Sequence, residues 1–324
     1  MIILRAIPEL ASVPGPVVLA AGVFDGLHLG HRAVLRRAQA EAARLRGTAV
    51  PLTFDPHPAR VIRPEHAPLQ LTATEHKTRL FASLGFSHAL VLAFSAELAA
   101  TEPASFVQSL AESSRPIGAI CVGHDWSFGK ARTGNVALLQ TLGKELHFEA
   151  IGVEAVEFNG DPVSSTRVRT CVAAGQFAGA QAMLGRPFTV LGVVEQGRQL
   201  GRTLGFPTAN LSLFNEQLPP NGVYTVRILW KDRLLAGVAN LGTRPTVEIK
   251  EGSPLLEVHL LDFQGDLYGE TLEVEFITFL RPEQRFASLD ELQSQIQEDT
   301  RHARDSLHLA ADAAYSATNS IASE

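Results

Sequence analysis

The chain has 324 residues, 45% of them apolar and 19% charged, with a net charge of −6 and a pI near 6.0. Those are globular proportions, with length for one large domain or two ordinary ones. The acidic balance excludes a broad nucleic-acid-binding surface, which needs clustered Lys and Arg, but leaves room for a small phosphorylated ligand in a local positive pocket. No apolar run approaches the roughly 18 residues of a membrane span. The opening MIILRAIPEL lacks the charge and apolar core of a secretion signal. Cys121 and Cys171 lie in apolar contexts without metal-ligand spacing. They are expected to be reduced thiols of a cytoplasmic protein.

Taken in chain order, VVLAAGVF (17–24) reads as a buried strand stopped by the turn pair DG. In the next segment Val34, Ala38, Ala42 and Leu45 share one helical face, and Gly47 suits the stop. TAVPLTF, HALVLAF, GAICVGH and LHFEAIGVEAVEF then read as strands. EHKTRLFASLG, PASFVQSLAES and NVALLQTLGKEL read as the helices between them. Strands and helices alternating at this spacing predict an α/β domain with a parallel sheet. Beyond about residue 184 the pattern becomes short strands separated by turns: FTVLGVVEQG, GVYTVRILW, RLLAGVANLG, LLEVHLLDF and ETLEVEFITFL. That predicts an antiparallel barrel or sandwich. A helix closes it, opened by the capping box Ser288–Glu291 and carrying Leu292, Ile296, Ala303 and Leu307 as its apolar stripe. The expected domains are 1–183 and 184–311, with a small, polar and disordered tail over 312–324.

The chemistry concentrates at strand ends. In GVFDGLHLGH a strand gives way to a helix, and His28 and His31 are framed by Gly26 and Gly30. A helix N-terminus aims free N–H groups and a positive dipole at an anion, and the glycines let a ligand come close. Two imidazole N–H donors there would stabilise charge developing on an attacked phosphorus. An isolated HxGH fits a capping histidine beside a surface one better than a phosphate site; the strand-to-helix context turns the balance towards phosphate. VSSTRVR (163–169) offers hydroxyls and guanidiniums at another helix start. GHDWSFGKARTG (123–134) and FDPHP (54–58) follow strands and add Asp125, aromatic rings and prolines.

These motifs, with LTATEHKTRLF, resemble the nucleotidyltransferase half of the bacterial bifunctional riboflavin kinase/FAD synthetases (FMN adenylyltransferases). The second half is similar to that family's kinase half through GRQLGRTLGFPTANL, PPNGVYTV, GVANLGTRPTV, LEVHLLDFQGDLYGE and FLRPEQRFASLDELQSQIQEDTRHAR. The resemblance runs over roughly residues 15 to 305. Two positions depart from the pattern: His124 precedes Asp125 where an acidic residue is frequent, and Val247 follows GTRPT where an aromatic is usual.

The resemblance implies a Rossmann-like nucleotidyltransferase domain and an antiparallel β-barrel kinase domain. The barrel would phosphorylate riboflavin to FMN with ATP. The N-terminal domain would transfer AMP from a second ATP to FMN, releasing FAD and pyrophosphate. Mg²⁺ is the implied metal, and the implied partners are the small molecules riboflavin, FMN and ATP, with neither nucleic acid nor membrane.

For adenylyl transfer the implied residues are His28 and His31 as catalytic groups and Gly26, Gly30, Ser164, Ser165, Thr166 and Arg167 on phosphate. Phe54, Pro56, Pro58, Asp125 and Phe128 are expected around flavin or nucleotide. For the kinase they are Glu257 as base; Gly197, Gly201, Arg202, Thr208 and Asn210 on ATP; Thr208 and Asn210 as metal ligands; and Arg281 and Phe286 on flavin. By its residues alone Glu257 is one outward position of an alternating strand, and GRQLGRTLG alone suits a plain hairpin. Two other readings stay open: a different HxGH nucleotidyltransferase, or a flavin-binding or regulatory protein with one inactive half.

Overall fold

The computed structural model describes residues 1–113, 116–196, 206–231, 233–243 and 254–321, with side chains through residue 307. The chain divides into two compact units, Met1–Val168 with Ala182–Gly185 and Arg169–Gln181 with Arg186–Glu324.

The first unit runs β1 (Ile2–Leu4), β2 (Val17–Ala21), α1 (Leu29–Leu45), β3 (Thr48–Asp55), α2 (Pro58–Ile62), α3 (Thr74–Ser83) and β4 (His88–Ala93). It continues with α4 (Ala96–Ala99), α5 (Pro103–Ala111), β5 (Ile117–Gly123), α6 (Val136–Glu145), β6 (Glu149–Val153) and the small ladder β7 (Glu157–Phe158) with β8 (Asp161–Pro162). The strands form a six-stranded sheet in the order β1-β4-β3-β2-β5-β6, and every pairing in it is parallel. Helices on both faces explain why the strands read as unbroken apolar runs: all five residues of β2 are buried. Strands β2, β3 and β4 proceed to one side, then β5 returns beside β2. The carboxyl ends of β2 and β5 therefore flank the crevice where strand order reverses, the ligand position of open α/β sheets.

Two expectations change here. LHFEAIGVEAVEF is not one strand: β6 ends at Val153, and Glu157–Phe158 turns back to pair with Asp161–Pro162. Asn159 and Gly160 take positive φ to make that hairpin. Ile2–Leu4 adds an edge strand that three residues of pattern did not announce.

The helix α7 (Ser165–Ala173) precedes α8 (Phe177–Leu184). The second unit continues with β9 (Thr189–Glu195), β10 (Thr208–Leu213), β11 (Gly222–Trp230), β12 (Arg233–Thr243), β13 (Pro254–Leu260), β14 (Thr271–Arg281) and α9 (Leu289–Ile321). The strands close into a barrel, β10-β13-β12-β11-β14-β9, with antiparallel pairing throughout, which resolves the choice between barrel and sandwich. Its interior takes alternate residues, among them Leu211, Tyr224, Ala239, Leu256, Val258 and Val274, all fully buried. Phe177 stacks on Phe276 with ring centroids 5.8 Å apart, which ties α8 to the barrel.

The capping box forms as expected at its first bond: the Glu291 N–H donates to the Ser288 hydroxyl at 3.2 Å. The Glu291 carboxylate reaches one residue further back than the motif predicts and accepts from the Ala287 N–H at 3.0 Å. From α9, Ala303 packs on Val223 and Val238 of the barrel's outer face. Its backbone stays helical to Ile321, through residues expected to form a tail. Ala310, Ala311, Ala313, Ala314 and Ala317 give that stretch high helix propensity.

Candidate active sites

The loop between β2 and α1 is strained. Phe24 and Leu27 hold φ of +54° and +45°, and Gly26 lies between them at +82°. A non-glycine residue in that region costs on the order of 1–3 kcal/mol and persists only when its surroundings impose it. Both side chains are 1% exposed, so core packing holds the conformation. A Cβ on Gly26 would come 2.8 Å from Leu71 Cδ1, so no side chain fits there.

The bend brings His28 to the N-cap of α1, where its Nδ1 accepts the His31 N–H at 3.3 Å. An accepting Nδ1 places the His28 proton on Nε2. The two imidazoles stack with centroids 3.6 Å apart, and His31 stands edge-on to Phe24 at 5.4 Å. Burial, then His28, then Lys77 hold the His31 imidazolium well below its ordinary range. His31 is therefore neutral at pH 7 and acts as a dipolar donor.

The start of α7 joins this loop. The Ser165 hydroxyl donates to the Asp25 carbonyl at 2.9 Å, and Ser164 Oγ accepts the Arg167 N–H at 3.3 Å as a cap. Thr166 is exposed. Arg167 is committed elsewhere: Nη1 donates to the carbonyls of Asp161 and Pro162 at 2.8 and 2.9 Å, and Nη2 to that of Phe158 at 3.1 Å. In this geometry it holds the β7–β8 hairpin.

At the end of β3, Phe54 lies in the core, edge-on to Phe94 at 5.5 Å. The Asp55–Pro56 peptide is cis. Pro58 opens α2, capped by His57. After β5, Asp125 is exposed, while Phe128 is buried beneath Trp126 at a ring separation of 4.4 Å. Trp126, half-buried, presents the more accessible ring of that pair.

Sequence reasoning missed the polar floor of this site. Asp25 is 3% exposed, and its Oδ1 accepts both the N–H and the hydroxyl of Thr72 at 3.0 and 3.3 Å. The Gly26 N–H donates to the same Thr72 hydroxyl at 2.9 Å. Lys77, 4% exposed, reaches Thr53 Oγ1 at 3.4 Å, and Thr53 in turn donates to the Val23 carbonyl at 2.9 Å. The LTATEHK stretch carried Thr72 and Lys77, but nothing local says that they lie under the histidine loop.

In the barrel, register builds a row across the outer face. Asn210 stands opposite Glu195 on one side and Glu257 on the other. Glu257 stands opposite Asn240, and Asn240 opposite Val223, which pairs with Arg281. Thr208 lies two residues from Asn210 on that face, and both belong to β10. Asn240 Nδ2 donates to Glu283 at 3.2 Å. Gly242 provides the seat, since a Cβ there would crowd the Glu283 carboxyl carbon at 2.8 Å. Asn240 and Glu195 are the polar residues of this row that sequence reasoning did not single out.

Arg281 forks onto Asp299 of α9, with Nε 3.0 and 3.1 Å from the two carboxylate oxygens and Nη2 2.7 Å from Oδ2. Its guanidinium lies 5.7 Å from the Phe286 ring centroid. Gly197, Gly201, Arg202 and Val247 lie outside the described residues. Among the described residues no His, Cys, Asp and Glu cluster forms a metal site, and no helix is long and apolar enough to cross a membrane.

Comparison with known proteins matches both halves of the chain to a family. The FAD synthetase family matches residues 11–167, and the riboflavin kinase family matches residues 184–307. A bifunctional riboflavin kinase/FMN adenylyltransferase of Escherichia coli K12 is 40% identical, covering 94% of this chain and 97% of its own. Its counterpart from Pseudomonas fluorescens is 39% identical with the same coverage. A solved structure from Streptococcus pneumoniae, titled a macrolide-efflux protein, superposes with a TM-score of 0.80 at 28% identity, over 94% of this chain and 99% of that one. The chain belongs to the bifunctional riboflavin kinase/FMN adenylyltransferase family.

Proposed function

We propose that the chain makes FAD in two consecutive steps, the barrel unit converting riboflavin to FMN and the sheet unit converting FMN to FAD. The observation that carries the second step is the stacked histidine pair, with His31 neutral, at the N-terminus of α1, beside the switch point of a parallel sheet. A phosphate oxygen of FMN attacks the α-phosphorus of ATP, and the bond to the bridging oxygen of pyrophosphate breaks. The nucleophile is already anionic, so no base is required. Charge develops on the α-phosphoryl oxygens and on the leaving pyrophosphate. Imidazole N–H groups and the first N–H groups of α1 stabilise it without reorganising. Ser164 and Thr166 at the start of α7 supply further donors to the leaving group, with Ser165 and Arg167 holding their loop in shape. Trp126, Asp125 and Pro56 and Pro58 border the nucleotide or flavin, while Phe54 and Phe128 support that border from the core.

In the barrel, Glu257 takes the proton from the riboflavin 5′-hydroxyl as its oxygen attacks the γ-phosphorus, and ADP leaves. The side chains around Glu257 suit Mg²⁺. Thr208 and Asn210 offer hydroxyl and amide oxygens on one strand face, next to a carboxylate and without soft ligands. Magnesium bound there with ATP would neutralise charge on the transferred phosphoryl group. Phe286 and the linker after β14 border the flavin, and Arg281 anchors that linker.

The test is separability. His28→Ala should lower FAD formation from supplied FMN by roughly 100-fold, as loss of one preorganised donor does, and leave FMN formation intact. Glu257→Gln should do the reverse. Loss of both activities in either folded variant would refute two independent sites.

A further inference from the structure

A buried lysine is expensive, and methionine or leucine would fill the same volume without desolvating a charge. Lys77 is 4% exposed, and the residues opposite it suit a cation. Asp25 approaches from the loop after β2 and Asp55 from the end of β3. His31 approaches from α1, itself stacked on His28. His76, next to Lys77 on α3, is fully buried. Lys77 also bonds Thr53, whose hydroxyl holds the Val23 carbonyl at the base of the strained loop. His31 brings no full charge, and Arg167 is spent on three backbone carbonyls.

We propose that Lys77 is a positioning residue for adenylyl transfer, a buried ammonium that locks the loop carrying His28 and sets positive potential behind the histidine pair, where substrate phosphates collect. This rests on the assignment of adenylyl transfer to the sheet unit. The ammonium acts through the loop and its field, without touching the reacting phosphorus. Phosphate anions close to low-dielectric positive charge feel it more strongly than they would in water.

The surroundings make the idea readable by pH. Burial lowers the Lys77 pKa to about 8, with Asp25 and Asp55 opposing. The folded value lies below that of the unfolded chain. Folding therefore favours the neutral amine, and stability on this account rises as pH increases from about 8 towards 10.5. Adenylyl transfer should do the opposite, because it uses the ammonium.

The experiment is kcat/KM for FAD formation from FMN and ATP between pH 6.5 and 9.5, which reports the free enzyme. FMN formation from riboflavin and thermal unfolding are followed on the same protein. The expected result is an alkaline fall in adenylyl transfer with a midpoint near 8, with no such limb in the kinase reaction and no loss of stability. Lys77→Met should lose the limb together with roughly 100-fold of kcat/KM, and keep kinase activity within twofold.

A flat wild-type adenylyl profile overturns the proposal, as does a folded Lys77→Met within threefold of wild type. If Lys77→Met fails to fold, the wild-type profile decides alone. Wild-type protein that makes no FAD at all refutes the underlying assignment instead.

Discussion

The ion pair between Arg281 and Asp299 sets a measurable stability cost. The Asp299 side chain is 4% exposed and that of Arg281 18%. Besides the guanidinium, Asp299 accepts from Gln295 Nε2 at 3.1 Å. Asp299→Ala strands a guanidinium whose three short contacts vanish together. Removing one partner of a buried pair costs about 3–5 kcal/mol, and the residual exposure of Arg281 places this case at about 3. With a urea slope of about 2 kcal/mol per molar for a unit of this size, the midpoint should fall by about 1.5 M.

The assay can be confined to the barrel. The chain has two tryptophans; Trp230 sits in the barrel and bonds Glu270 at 3.0 Å, whereas Trp126 belongs to the other unit. In a Trp126→Phe background, Trp230 fluorescence reports barrel unfolding alone. Replacing both partners, as Arg281→Met with Asp299→Leu, should recover most of the loss, because no unpaired charge remains. A midpoint shift below about 0.4 M in Asp299→Ala would show that the guanidinium finds water or another acceptor at little cost, and would refute the reasoning.

Two further outcomes can be checked directly. Gly26→Ala forces a side chain into positive φ and against Leu71 at 2.8 Å. It should cost about 1–3 kcal/mol and lower adenylyl transfer more than kinase activity, as read by unfolding and by both product assays. Cys121 is buried, and burial pushes its thiol up to about 12. A thiol reagent at pH 8 should therefore label Cys171 in the native protein and Cys121 only after denaturation; rapid native labelling of Cys121, located by peptide mapping, would contradict the packing of β5.

Much of the architecture was legible because the relevant physics is local. Strands buried on both faces appear as apolar runs, and amphipathic helices appear by period, so the alternation in the first half and its absence in the second could be read directly. The histidine motif was legible for the same reason: cap, glycine and helix start lie within ten residues. LHFEAIGVEAVEF misled because its apolar run continues past the point where Asn159 and Gly160 permit a hairpin.

Side-chain commitments were a different matter. The family resemblance implies phosphate for Arg167 and flavin for Arg281, yet each spends donors on partners that only the folded chain supplies: three carbonyls for one, chiefly Asp299 for the other. Phe54 and Phe128 are aromatic residues at strand ends, and packing alone turns them into the core.

By itself, then, the sequence determined the two kinds of domain, and through the family resemblance the residues to consider for each reaction. Tertiary structure decided which of those residues face one another. Asn240 joins Glu257 and Asn210 only through barrel register, and Thr72 reaches Asp25 of the histidine loop, and Lys77 reaches Thr53 beneath it, across long stretches of chain. A shift of one residue in register reverses the face of every side chain in a strand. Which polar group is buried beside which depends on packing between distant segments, and periodicity along a chain carries no record of it.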